Sequence, residues 1–223
     1  MQQDELAFMA RITAGMTHEL RNVLAVIGES AGLMEDVLAM TGTDPSQSRE
    51  RFGRITSQIL QHVERGIRLT AGLNYFAHTP EKRAAMLDVN KLLEQFVVVT
   101  TWFGREKKVS IAARQNNGFP IVESDALKVQ MLIFRTLEAV VSLAPAVRSI
   151  ELSASTSEGG VSISMKLGGQ SDDLSGWGSA IREGATWSRV EESAAAVGAR
   201  VQIDGAGQRV ELAFWPVRQN GTK

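Results

Sequence analysis

The sequence predicts an α+β chain in which a long antiparallel helical hairpin precedes an α/β sandwich. Three observations carry that expectation. Apolar residues recur at helical spacing in two long successive runs, Met9, Ile12, Met16, Leu20, Val23, Ile27, Met34, Leu38 and then Phe52, Ile55, Ile59, Val63, Ile67, Leu73, Phe76. The segment Thr41-Gly42-Thr43-Asp44-Pro45-Ser46 between them is a cluster of turn and cap formers. Beyond Pro80 the period changes, and alternating runs appear at Ile150, Leu152, Ala154 and at Val161, Ile163, Met165, Leu167.

Taken in order, the first helix is expected from about Asp4 to Met40. The second, capped by Asp44 or Ser46, should end near Tyr75 to His78, ahead of Pro80. A lone hairpin cannot cover both of its own stripes. Two copies joined about a twofold axis into a four-helix bundle would bury them, so a homodimer is expected. Residues 1–79 then form the hairpin, 80–86 a linker, and 87–223 a second unit. In that unit Asp88-Val89-Asn90 caps a helix over Lys91 to Phe103. A strand at Val109 to Ala113, a loop at Asn116 to Pro120 and a helix from Asp125 to Leu143 come next. The two alternating strands turn at Ser157-Glu158-Gly159-Gly160, and Gly168 to Gly178 reads as loop. A helix over Ala185 to Val197 stops at Gly198. Val201 to Ile203 and Val210 to Trp215 close the chain as a hairpin around Asp204-Gly205-Ala206-Gly207. Helices alternating with an antiparallel or mixed sheet make a sandwich with one helical layer.

Composition narrows the function. The formal net charge of −1 gives no electrostatic case for nucleic acid or an anionic membrane. Cysteine is absent, which removes disulfides and thiolate metal sites. No apolar run approaches a membrane span, and the acidic start Met1-Gln2-Gln3-Asp4-Glu5 is unlike a signal peptide, so a soluble, cytoplasmic protein is expected.

The chemistry centres on His18. It lies two residues from Met16 and two from Leu20, so at roughly 100° per residue it points off the apolar stripe into water. Asn22 sits one turn on along the same face, with Glu19 alongside. A carboxylate there would hold one ring nitrogen protonated and leave the other free as a nucleophile. Position alone does not distinguish this from an ordinary exposed histidine. The phrase His18-Glu19-Leu20-Arg21-Asn22, followed by an apolar run and a second long helix, resembles the H-box of bacterial two-component sensor histidine kinases. The resemblance implies a phosphorylated His on a dimeric phosphotransfer hairpin. Val23 stands where those kinases usually carry Pro, which leaves the helix without the local kink.

The stretch from Leu87 to Pro216 resembles, in element order, the ATP-binding domain of the same kinases, of the gyrase, Hsp90, kinase and MutL fold. The phrase Leu87-Asp88-Val89-Asn90-Lys91-Leu92-Leu93-Glu94 and the end at Trp215-Pro216 add to the likeness. The departures are informative. The two Asn that hold Mg²⁺ and phosphate in the family fall here at Arg135 and Ala139, and the adenine-binding Asp falls at Leu167. The glycine-rich lid phrase is replaced around Gly184 to Val190 by Gly-Ala-Thr-Trp-Ser-Arg. Neither Arg135 nor Ala139 offers Mg²⁺ an oxygen, and Leu167 offers adenine no acceptor. The sandwich is therefore expected to be a degenerate histidine-kinase-type ATPase domain that binds no cofactor.

A phospho-accepting His beside an ATPase-like unit without nucleotide chemistry resembles the bacterial histidine phosphotransferases. The resemblance implies that His18 relays a phosphoryl group between aspartates of response-regulator receiver domains, oriented by Glu19, with Mg²⁺ brought by the receiver. Docking would use the flank around Thr17, Arg21, Asn22 and Ala25. Two alternatives come from other classes. Glu19 and Asn22 also fit the Glu-x-x-Asn phrase by which related kinases dephosphorylate their regulator, and a binding-only pseudokinase would need neither reaction. His62 and His78 read as surface or packing residues, the four Trp as core or interface, and Gly168-Gly169 is too weak for a phosphate loop.

Overall fold

The computed structural model describes residues 2–39, 45–81, 84–116, 118–143, 146–157, 160–169, 177–204 and 208–215. It has the expected architecture, a helical hairpin followed by an α/β sandwich. Helix α1 spans Gln2–Ala39 and α2 Pro45–Ala77. The connecting residues 40–44 lie outside the described residues. Pro45 opens α2, where its missing N–H costs nothing. Ser46 therefore stands inside the helix rather than capping it. After a 3₁₀ turn at Thr79–Glu81, strand β1 (Ala85–Asp88) leads into α3 (Val89–Lys107). The expected cap is present: the Asp88 carboxylate accepts from the Lys91 backbone N–H at 3.1 Å.

Strands β2 (Ser110–Arg114) and β3 (Ile121–Ser124) precede α4 (Ala126–Leu143), followed by β4 (Val147–Ser157) and β5 (Gly160–Gly169). Then come α5 (Trp177–Glu183), α6 (Trp187–Ala196), β6 (Ala199–Asp204) and β7 (Arg209–Phe214). The main sheet has the order β2-β4-β5-β7-β6, parallel at β2/β4 and antiparallel elsewhere; β1 and β3 pair separately. Three elements correct the sequence reading. β1 and β3 are four residues each, too short for a periodic signal. The stretch read as loop, Gly168 to Gly178, holds the end of β5 and the start of α5, with 170–176 outside the described residues.

One face of the sheet carries Ile150, Leu152, Val161, Ile163, Met165, Val210 and Leu212, all buried. Helix α4 is buried nearly all round, as a helix with apolar residues on every side must be. It has the sheet on one side and the hairpin on the other. Phe8 of α1 meets Phe76 of α2 edge-to-face and Phe134 of α4 at a tilt there, with ring centroids 5.7 and 5.6 Å away. The hairpin and the sandwich thus share one core, and the 80–86 segment marks a topological boundary rather than a gap in packing.

Candidate active site

From α1, Phe8, Arg11, Gly15 and Glu19 meet the sandwich, spaced three and four apart. Gly15 is required there: the Trp102 indole of α3 lies so close that any Cβ would fall inside it. Arg11 pairs with Glu138 of α4, its guanidinium 5.0 Å from the centre of the Phe134 ring. This stripe fixes the rotation of α1 and so decides which side chains face water.

His18 is exposed, as are Thr17, Arg21, Asn22 and Ala25 around it. The Thr17 hydroxyl donates back to the Thr13 carbonyl at 2.7 Å, leaving that flank smooth. The Asn22 amide nitrogen lies 3.3 Å from Nδ1 of His18, one helical turn away.

Glu19 corrects the sequence reading. Expected beside the His18 ring, it points the other way and is only 2% exposed. Its carboxylate is taken by two guanidiniums, Arg65 of α2 and Arg105 of α3, the latter at 2.6 Å. The reason is in the spacing: Glu19 follows Met16 by three and precedes Val23 by four, which places it on the buried stripe. Sequence reasoning misses Arg65 and reads the run Arg105-Glu106-Lys107-Lys108 as a solvated face, whereas Arg105 turns in to the buried carboxylate. Burial lowers the Arg65 pKa, and the nearby Arg105 and Arg68 charges lower it further. One carboxylate thus sits between two guanidiniums where α1, α2 and α3 meet. Burying this charge costs free energy that only paired, hydrogen-bonded partners offset.

In the sandwich, Arg135 donates through Nη1 to the Ser193 hydroxyl of α6 at 2.7 Å, and its other nitrogen lies 3.7 Å from Asp4. Ala139 and Leu167 are fully packed in the core. Trp187 begins α6, buried, with its indole N–H donating to Glu191 at 3.1 Å. The Arg135–Ser193 pair joins α4 directly to α6. Among the described residues no group of three or more His, Asp or Glu is placed to hold a metal ion. None of their helices is long and apolar enough to cross a membrane.

His78 Nδ1 meets Glu81 at 3.0 Å, and Trp177 and Trp187 are core residues. Half-exposed Trp215 lies under the Arg200 guanidinium at 4.8 Å. Half-buried His62 edges an apolar groove between α1 and α2, lined also by Leu24, Val63 and Ile67.

No family model matches the chain, and no curated protein matches it. Solved structures similar to it include the Acinetobacter baumannii histidine kinase AdeS, at 14% identity and TM-score 0.43, over 87% of this chain and 94% of that one. A structure described as a bacterial phosphotransferase is similar at 11% identity and TM-score 0.44, over 93% and 95%. The full-length ShkA complex with AMPPNP is similar at 21% identity and TM-score 0.44, over 91% and 44%. These are distant likenesses, and the chemistry below stands on the chain's own residues.

Proposed function

We propose that this chain is a histidine phosphotransferase of two-component signalling, relaying a phosphoryl group between receiver-domain aspartates through His18 without ATP. The observation that carries the reading is an imidazole exposed on a helix whose rotation is locked by the sandwich behind it. In the forward step the Nε2 lone pair attacks the phosphorus of an aspartyl phosphate. The P–O bond to the carboxyl breaks, its electron pair leaves with the aspartate, and the ring remains as an Nε2-phosphorylated imidazolium that keeps its Nδ1 proton. A second receiver's aspartate reverses the step. Such transfer is mostly positioning and charge neutralisation, and the Mg²⁺ would come from the receiver. The absence of ATP chemistry is part of the proposal. It is supported by Arg135 bridging to Ser193 where a nucleotide would need Mg²⁺ ligands, and by Leu167 packed where adenine would need an acceptor.

The proposal includes a homodimer. Leu24 is 67% exposed and Ile67 63%, facing the same apolar groove, and a twofold contact would cover both. The test is incubation with a receiver domain carrying labelled phosphate, beside an ATP-only control. Label appearing on the protein, lost in His18→Ala and absent from the ATP control, is the expected result. The phosphatase alternative keeps one observation in its favour, the exposed Asn22 amide. It predicts free phosphate, lost in Asn22→Ala. Neither label nor free phosphate would leave docking alone.

A further inference from the structure

With its carboxylate held by Arg65 and Arg105, Glu19 is not available to place the proton of the His18 ring. A neutral imidazole carries one proton, and whichever nitrogen bears it cannot attack. The side chain that reaches the ring is Asn22, at Nδ1. We propose that Asn22 is the positioning residue of His18. Its amide oxygen accepts the Nδ1 proton and so presents the Nε2 lone pair to solvent.

The geometry limits the possibilities to two. His18 and Asn22 are four apart on one unbroken helix, so the amide meets the ring with no backbone movement. The amide nitrogen is the atom facing Nδ1 at 3.3 Å, and a half-turn about χ2 puts the oxygen in its place. With the nitrogen facing, Nδ1 accepts and the proton sits on Nε2, which makes the outward nitrogen a donor and not a nucleophile. With the oxygen facing, the proton sits on Nδ1 and Nε2 is free. Attack selects between them. As the Nε2–P bond forms, the ring gains positive charge and its Nδ1–H becomes a stronger donor. An acceptor there stabilises the transition state more than the ground state, whereas an N–H there would oppose it.

This inference deepens the phosphotransfer reading and rests on it, but its first readout does not depend on any partner. Imidazole ¹⁵N–¹H correlations of the full chain report the tautomer at a pH where the ring is neutral, with the His18 signals assigned by their loss in His18→Ala. Phosphoramidate, a small phosphodonor, then measures the rate of His18 modification. The wild type and Asn22→Asp are expected to carry the proton on Nδ1. Asn22→Ala should move the ring towards the Nε2–H form and slow phosphoramidate labelling about fivefold, the population change of one ordinary net hydrogen bond. Asn22→Asp should recover the rate, and Glu19→Gln should leave the tautomer unmoved.

A wild-type ring protonated on Nε2, or an Asn22→Ala spectrum matching the wild type, overturns the inference. So does a tautomer that follows Glu19→Gln. If Glu19→Gln does not fold, the Asn22 pair alone decides. A tautomer that behaves as stated, with no label taken from phosphoramidate or from a phosphorylated receiver, sinks the relay reading and leaves this inference standing. Label captured with a tautomer indifferent to Asn22 does the reverse.

Discussion

The two halves of the hairpin are built from the same helices with the same apolar period, yet they are covered unequally. Towards the ends that meet the sandwich, Phe8, Ile12, Met16 and Val23 of α1 and Leu69 and Phe76 of α2 are buried. Leu33, Leu38 and Leu60 towards the other end lie at the surface, with Leu24, Val63 and Ile67 near the middle and, at the covered end, Leu6. The contrast teaches that a helical stripe announces the need for a partner without naming it. In one half the partner is α3 and α4 of the same chain. In the other we propose a second copy. His18 sits near the border, in the covered half, where α1 cannot roll.

The largest effect should come from the covered half. Phe134 touches Phe8 of the hairpin and Phe103 of the sandwich, with ring centroids 5.6 and 5.1 Å away. Phe134→Ala should cost about 3–5 kcal/mol in denaturant unfolding, from lost burial and the cavity left behind. A cost below about 1 kcal/mol would mean that the two units do not share a core.

Next is the charge at the junction. Glu19→Ala leaves Arg65, whose side chain is 21% exposed, beside Arg105 with no carboxylate between them. Removing one member of a buried pair costs about 3 kcal/mol, and here the loss should also loosen α3 from α1. Hydrogen exchange localises that loosening: the last turns of α3 should exchange faster while the far ends of α1 and α2 do not change. If Glu19→Ala alters labelling of His18 with stability intact, the carboxylate serves the ring after all.

The uncovered half is probed by Ile67→Glu. A carboxylate placed in an apolar twofold contact should weaken a dimer by about 2 kcal/mol, roughly thirtyfold in Kd, with the monomer's own stability nearly unchanged. Sedimentation across a dilution series reads this directly. A wild type that stays monomeric at high concentration removes the second copy and leaves the exposed stripe unexplained.

How legible all this is in the sequence follows from the range of each determinant. The hairpin is legible because one period runs unbroken through each helix. The exposure of His18 is legible from the same arithmetic. Applied one residue on, that arithmetic also puts Glu19 on the buried stripe, between Met16 and Val23, and a carboxylate there signals buried guanidiniums. Which arginines supply them is not legible, since Arg65 and Arg105 lie far along the chain and meet Glu19 only once α2 and α3 pack. Nor does any local pattern mark Gly15, whose missing Cβ matters only because Trp102 of α3 lies over it. β1 and β3 are illegible for a simpler reason: four residues hold two alternations, which a loop matches as well.

The smallest effect is also the most specific reporter of the covered half. Tyr75 is the chain's single tyrosine and lies in the last turns of α2, at the end that meets the sandwich. Burial raises its pKa above the ordinary tyrosine value, and the Asp88 carboxylate raises it further. The folded state therefore keeps the phenol proton at pH values where the unfolded chain has released it. The stabilisation is complete below the ordinary value near ~10 and is lost as pH rises from there through the folded value. Tyrosinate absorbance near the red edge of the protein band should show one late transition in the wild type. Asp88→Asn should bring it down only in part, since burial is the larger cause. Gly15→Leu, which drives Trp102 off α1, should return it towards the ordinary value if the sandwich has swung away. A Tyr75 transition that stays late in Gly15→Leu would mean that the aromatic cluster of Phe8, Phe76 and Phe134 holds the two units together without Trp102.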